Sequence, residues 1–441
     1  ISSTDTNTTY TAGTAITLSG TTFSLKNNAN LTGNRLLKWD SGNSQVTNSI
    51  ISDDGSAVTI AGDLTDKNIV FYRRIIFGKY DLSKIIRKAL FAFNSKFYFY
   101  PDWNTNFISV NKSIELINFR PDLIFVYWTK FAFNFEFIQR LSDYFNAQVV
   151  FVLLDMAHLT GGCHYAFNCS SYTVSCGCCP VLPLNMPFDL SYRVIKKRTK
   201  YLSMMNASVL APTSLLLKQA KQSIMFKNHR AFHIPFAVNE EVFSARSRVS
   251  ARQELGLPLD SKIILVGASK LSEPRKGFIK LMESLKILKN KNLEYQNEKI
   301  FLLVIGRLDL NIDLSFPRVS LGYKSFEGDL ATAFQACDLF VSPSLEDSGP
   351  LMVNFSLMCG RPVVAFDIGV AKDYVVNGST GYCAKLPDII DFAQGIFEIL
   401  NLSEKTWSEY SARCRHLAIT KFSRKVIRQE LLQLINSLNT K

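Results

Sequence analysis

The chain has 441 residues, of which 47% are hydrophobic, 12% aromatic and 20% charged, and it carries a formal net charge of +13. That length exceeds one compact core and sets an expectation of two or three domains, while the composition excludes a disordered polymer. The longest apolar runs, Leu123–Trp128 and Val149–Leu154, are strand-sized and fall short of the roughly 20 residues that cross a bilayer.

The polar opening ISSTDTNTTY does not read as a secretory signal, so a soluble or at most membrane-peripheral chain is expected. Residues 1–64 hold Lys26, Arg35 and Lys38 against Asp5, Asp40, Asp53, Asp54 and Asp63, a balance of −2, and the positive excess belongs to the remainder. Such a surface suits phosphorylated substrates, anionic lipid or nucleic acid. The sequence holds no helix-turn-helix, RNP-like or finger pattern, which argues against nucleic acid.

Over Thr14–Leu25, Arg35–Ser44 and Ser56–Thr65 apolar and polar residues alternate, with Gly and Asn between the runs. This predicts short β-strands and hairpins over residues 1–64; a disordered polar leader is the alternative. A unit this small and poor in large apolar residues is marginal alone, so self-association, as a trimer, is expected of it. It resembles the repetitive β segments of phage tail fibres and related trimeric adhesins, which would make the chain virion-associated.

From Lys67 strands alternate with helices. Asn68–Tyr72, Lys96–Tyr100, Asp122–Trp128 and Gln148–Leu154 read as strands; Leu82–Phe93, Asn111–Phe119 and Glu136–Phe145 read as helices. A second series begins after His233–Phe243, with strands at Lys262–Ala268, Lys299–Gly306, Leu339–Ser344 and Arg361–Phe366. The expected fold is α/β, two Rossmann-like domains (65–235 and 236–441) facing a cleft, preceded by the small all-β segment 1–64. The final helix is expected to pack back on the first domain.

Two features of the second half suit phosphate. In Ser342–Gly369 a strand is followed by a turn and by Pro350, expected at the first position of a helix capped by Asp347 or Ser348, whose open N–H groups would seat an anion. In Val266–Leu285, Lys270, Arg275 and Lys276 follow a strand, where two cations would neutralise a diphosphate. The RKG loop, Leu321–Ser344, MCGRPVVAFDIG and Val375–Tyr382 resemble the donor domain of GT-B glycosyltransferases of the retaining family 4 type, and the likeness runs from Lys67 to the C-terminus.

The resemblance implies that Lys270 and Lys276 grip the donor diphosphate of a UDP- or GDP-sugar. It places Ser348, Gly349, Pro350 and Leu351 on the loop that meets sugar and phosphate, and it asks for no divalent metal in the chemistry. The family usually has two glutamates here separated by seven residues. Asp347 takes the place of the first and Phe355 that of the second, which in the family holds the ribose. Phe cannot accept a hydrogen bond from ribose, so Glu346 and Asp347 take over that duty, the donor is held differently, or the copy is impaired.

In the first half, LLDMAHLTGGCHY resembles the HDM…TGGCHY stretch of one branch of these enzymes. Asp155 is the candidate for acceptor orientation or acid–base help, with helix capping as the alternative, and His164 for contact with acceptor or phosphate. Five of the nine cysteines fall in Leu159–Pro180. The spacing of Cys163, Cys169, Cys176 and Cys179 leaves three readings open: a structural zinc cage, reduced thiols or one disulfide packing an acceptor loop, and a redox centre. The other four, Cys337, Cys359, Cys383 and Cys414, are expected as free buried thiols, consistent with a reducing cytoplasm.

The expected function is retaining transfer of a sugar from a nucleotide-diphosphate sugar to a glycan or lipid-linked acceptor. The basic stretches KIIRKAL and Tyr192–Lys200 suit peripheral contact with an anionic membrane. The alternative is an impaired transferase acting as a binding or structural protein with a fibre-type adhesive head.

Overall fold

The computed structural model describes the strands between residues 9 and 48, residues 69–70, and residues 110–439 apart from 116, 118, 128, 130–132, 183–184, 291–298, 308–315 and 325–326. Thr9–Tyr10 (β1), Thr14–Ser19 (β2), Thr22–Lys26 (β3), Leu36–Asp40 (β4) and Gln45–Asn48 (β5) form one antiparallel sheet in sequence order. Ser19 pairs with Thr22 in the antiparallel β2–β3 register. The strand expected at Ser56–Thr65, the helix at Leu82–Phe93 with its KIIRKAL stretch, and the strand at Lys96–Tyr100 lie outside the described residues.

The first lobe is a parallel sheet of Ile69–Val70 (β6), Leu123–Val126 (β7), Gln148–Val152 (β8), Ala207–Ala211 (β9) and Arg230–His233 (β10), ordered β10-β9-β8-β7-β6. Its helices are Val110–Glu115 (α1), Phe135–Phe145 (α2), Leu190–Leu202 (α3) and Ser214–Gln222 (α4). Local chemistry sets the limits of α2. Asn134 accepts the Phe137 N–H at 2.8 Å as N-cap, and Asn146 ends the helix in the left-handed region at φ 52°. Phe135, Ile138, Leu141 and Phe145, at helical spacing, are buried, and Phe135 stacks on Phe151 of β8 at 5.0 Å.

The second lobe is a parallel sheet of Ser261–Lys270 (β11), Lys299–Arg307 (β12), Arg318–Ser320 (β13), Leu339–Ser342 (β14), Val363–Phe366 (β15) and Gly381–Ala384 (β16). Its order is β13-β12-β11-β14-β15-β16. The chain moves outward from β11 to β13, then returns to the other side of β11 for β14. The crevice at the carboxyl ends of β11 and β14 is therefore the topological switch point, where open α/β sheets bind ligands. Between the strands run Phe278–Asn290 (α6), Glu327–Ala336 (α7), Leu351–Met358 (α8) and Val370–Tyr374 (α9), with Arg248–Leu255 (α5) before β11 and Ile389–Leu400 (α10) after β16.

Buried Asp338 ties this lobe together. It accepts from Arg252 and from the Ile263 N–H at 2.6 and 2.7 Å, and pairs with Arg248. Such a charge is tolerated inside only when paired and hydrogen-bonded on several sides.

Two last helices, Glu404–Phe422 (α11) and Arg424–Asn439 (α12), join the lobes. The Val238 N–H donates to the Phe422 carbonyl at 2.8 Å. Gln148 of β8 donates to the Leu438 carbonyl at 2.7 Å, and Arg230 of β10 to that of Ser437 at 2.9 Å. Leu123, Val150 and Leu210 of the first sheet share one apolar core with Ile427, Leu431 and Leu438 of α12.

Candidate functional site

The loop after β11 forms a short 3₁₀ turn, Pro274–Lys276, closed by Gly277 in the left-handed region at φ 65°. A Cβ at Gly277 would stand 1.8 Å from the Pro343 carbonyl oxygen, so only glycine lets this loop lie against the end of β14. The Leu345 N–H then donates to the Arg275 carbonyl at 2.7 Å. This close approach brings the cations onto the β14–α8 turn. Lys276 Nζ stands 2.5 Å from Asp347 Oδ2, Arg275 Nη1 stands 3.4 Å from the same oxygen, and the Gly349 N–H donates to Asp347 Oδ1 at 3.3 Å.

Burial pushes the Asp347 carboxyl up, but Lys276 and Arg275 beside it more than offset that and hold it below the usual carboxylate range. Glu346 goes the other way: burial and the neighbouring Asp347 raise it, against the opposing pull of the Phe167 N–H, which it accepts, and of Arg275. Arg275 also pairs with Glu273. Lys270 is exposed at the carboxyl end of β11, on the same loop.

Two sequence expectations change here. Pro350 stands at the N-cap rather than inside the helix, α8 begins at Leu351, and no side chain caps it. Neither Asp347 nor Ser348 serves as that cap, because the Asp347 carboxylate has stronger partners in two cations and the Gly349 amide. Phe355 belongs to the core: its ring stacks on Phe243 at 4.2 Å and meets Phe334 edge-on at 6.0 Å. Asn354, one residue earlier, is buried, and its Oδ1 has no hydrogen-bond partner among the described residues.

The first lobe reaches the same crevice. Thr213, the N-cap of α4, donates its hydroxyl to the Ser348 carbonyl at 3.0 Å, and the Ser214 N–H donates to Asp373 of α9 at 2.9 Å. The Arg275 guanidinium lies over the ring of Tyr165 at 4.2 Å. Beside Tyr165, His164 Nδ1 is 2.6 Å from Asp155 Oδ2, both residues being buried, and Asp155 Oδ1 accepts the Ala157 N–H at 2.7 Å. Asp155 thus fixes a turn and holds His164 at once. Sequence reading missed Tyr165, Glu273, Thr213 and Ser214; the first stood within the quoted GGCHY run, but which lobe its ring would touch is a tertiary fact.

The cysteine loop is tightly folded. Arg198 of α3 donates to the carbonyls of Ala157 and Thr160, each at 2.6 Å, and a Cβ at Gly161 would stand 2.1 Å from the Ser191 carbonyl oxygen. Cys163, Cys169, Cys176 and Cys179 line a cavity of about 20 Å³ with Thr160 and Tyr172. Among the described residues, however, no three His, Cys, Asp or Glu side chains are disposed to hold one metal ion.

All nine cysteines are thiols. The Cys163 thiol is pushed up by its hydrogen bond to Cys179 and by burial, while Cys176 accepts the Gly161 N–H at 3.3 Å. Of the three readings the spacing left open, the described geometry shows thiols, with Cys163 hydrogen-bonded to Cys179 and Cys176 to backbone. Cys337, Cys359 and Cys414 are buried, whereas Cys383 is only half-buried.

Comparison with known proteins meets this geometry in the second lobe. Residues 248–415 match the family of glycosyl transferases group 1. Over 179 residues the chain is 27% identical to the D-inositol 3-phosphate glycosyltransferase of Stackebrandtia nassauensis, covering 38% of this chain and 40% of that protein. It is 25% identical over 163 residues to the glycogen synthase of Streptococcus equi, covering 35% and 33%. The chain thus spans about two fifths or less of the length of these two relatives.

The fold is shared more widely than the sequence. A sucrose-phosphate synthase from Thermosynechococcus elongatus superposes with a TM-score of 0.55 at 19% identity, over 75% of this chain and 77% of that one. Anabaena HepE in complex with UDP-glucose superposes with a TM-score of 0.53 at 17% identity, over 74% and 82%. The described chain is α/β with two Rossmann-like parallel-sheet domains, and glycosyltransferases of the GT-B type are among its structural neighbours. Among the described residues no helix is long and apolar enough to cross a membrane.

Proposed function

We propose that the chain moves a sugar from a nucleotide-diphosphate sugar to a hydroxyl of a glycan or lipid-linked acceptor, with retention at the anomeric carbon. The observation that carries this reading is the meeting of Lys276 and Arg275 with the Asp347–Gly349 turn at the switch point of the second sheet. An ammonium has three N–H donors and Asp347 takes one, so Lys276 can face a diphosphate while being held in place. The first turn of α8, uncapped by any side chain, adds amides and the positive end of its dipole. Lys270 supplies a further cation from the same loop.

Donor placement of this kind accelerates transfer by fixing geometry and stabilising charge on the leaving diphosphate. In this reading Glu346, Ser348, Gly349, Pro350 and Leu351 border the sugar and the phosphates. The ribose, which Phe355 cannot hold, is assigned to Asn354, whose Oδ1 has no hydrogen-bond partner among the described residues. Asp155 and His164 approach from the first lobe, where a hydrogen-bonded carboxylate–imidazole pair suits orienting an acceptor hydroxyl or relaying its proton.

Phe355 favours one other reading, an impaired transferase that binds without turnover and carries the antiparallel sheet as an adhesive head. Donor hydrolysis across a panel of UDP- and GDP-sugars, with melting in the presence of UDP and GDP, separates the two. Turnover with a nucleotide-dependent melting shift supports the transferase; neither effect with any nucleotide removes it.

A further inference from the structure

We propose that the first lobe docks on an anionic lipid surface through residues 185–200, with Met186 and Phe188 entering the interface and a basic stripe of α3 facing the headgroups. Met186 is 50% exposed and Phe188 64% exposed, and Asn185 and Pro187 between and beside them are exposed as well. In α3, Arg193, Lys196 and Lys200 are exposed while Val194, Ile195, Arg198 and Leu202 are buried. Their spacing of three and four puts the three cations on one outward face. Lys197 is partly exposed and pairs with Glu136 of α2 at 3.4 Å, so the net charge of the stripe rests on the other three.

The apolar tip and the basic stripe form one unit. The Phe188 ring meets Tyr192 at 5.1 Å, the Arg193 Nε donates to the Phe188 carbonyl at 3.2 Å, and Lys196 Nζ donates to the Tyr192 hydroxyl at 3.3 Å. The tip is also held from behind. The Cys178 N–H donates to the Met186 carbonyl at 2.9 Å, and Asp189 accepts the Cys179 N–H at 2.7 Å and the Tyr192 N–H at 3.1 Å. A Cβ at Gly177 would stand 2.3 Å from the Pro187 carbonyl oxygen.

A fixed loop that keeps two large apolar side chains in water beside cations with no ion pair among the described residues has the two parts that reversible attachment to a charged bilayer needs. A phosphate polymer would use the cations and leave Met186 and Phe188 without a partner, which is why a lipid surface is the occupant proposed. The proposal does not rest on the donor-site reading, since attachment needs no nucleotide.

The test is co-sedimentation of the full chain with phosphatidylcholine vesicles and with vesicles enriched in phosphatidylglycerol. Binding is expected to the second and not the first. It should fall about a hundredfold in the triple variant Arg193→Glu, Lys196→Glu, Lys200→Glu, and several-fold in Phe188→Ser. Circular dichroism and the melting temperature of each variant report its folding, and Phe188→Ser, at an exposed site, serves if the triple variant does not fold. No binding to the anionic vesicles, equal binding to both kinds, or binding unchanged in both variants overturns the proposal.

Discussion

Lys276 and Asp347 meet at 2.5 Å across the switch point of the second sheet, one from the loop after β11 and the other from the turn after β14. Because Asp347 is buried and Lys276 is held by it, the pair sets where positive charge stands in the crevice. Lys276→Ala is expected to weaken UDP or GDP binding about 10–100-fold, the range for loss of one charge-assisted hydrogen bond. Titration calorimetry of the nucleotide measures it. Unchanged affinity would place the diphosphate elsewhere.

The two acidic neighbours respond to pH in opposite senses. The folded-state value of Asp347 is depressed, so it adds stability above its unfolded value, about 3.9, and that stability is lost as pH falls through the folded value. Glu346 is raised, so it subtracts stability at neutral pH, and the penalty shrinks as pH falls through its folded value toward the unfolded one. Glu346→Gln is therefore expected to melt higher than the parent at pH 7, with the two curves converging in acid. Asp347→Asn should melt lower at pH 7 and converge likewise. Thermal melting across pH checks both.

Tyr165 places an aromatic face under Arg275 from the other lobe. Such a contact contributes about 0.5–2 kcal/mol depending on desolvation. Tyr165→Phe keeps the face and is expected to leave the donor KM within twofold, whereas Tyr165→Ala should raise it about 3–30-fold. Equal effects of the two substitutions would instead make the hydroxyl the operative group.

Gly277→Ala combines a left-handed backbone with a Cβ driven onto the Pro343 carbonyl. The loop must shift, at a cost of about 1–3 kcal/mol. Urea denaturation is expected to show an earlier midpoint, and nucleotide affinity should fall with it because the same shift moves Lys276 away from Asp347.

Asp155→Asn keeps the turn made with the Ala157 N–H but removes the charge facing His164. Transfer is expected to fall about 10²–10⁴-fold with UDP affinity unchanged. A proportional loss of UDP binding would assign the pair to the donor instead.

Much of the α/β order was legible because buried parallel strands are written as continuous apolar runs such as QVVFV and KIILV, punctuated by amphipathic helices. Lys276 was legible as one of three cations following a strand, and Asp347 by its place just before Pro350 in a strand–turn–helix stretch. What escaped was anything decided by competition between partners. Asp347 was free in sequence to cap α8, but folding gave it Lys276 and Arg275 to neutralise. The cysteine spacing was compatible with a cage, yet spacing does not say where a sulfur points, and Cys163 turned toward Cys179. Tyr165 could not be read as a partner of Arg275, because their meeting depends on how the two lobes dock.

The crossing of α12 onto β8 and β10 has a consequence for biosynthesis. The flank of the first sheet against which Leu431 and Leu438 pack is uncovered while the ribosome makes everything between β10 and α12. The lobe emerging earlier therefore acquires its full apolar cover only after the later one has been translated, and a nascent chain halted before Arg424 would expose that flank to chaperones.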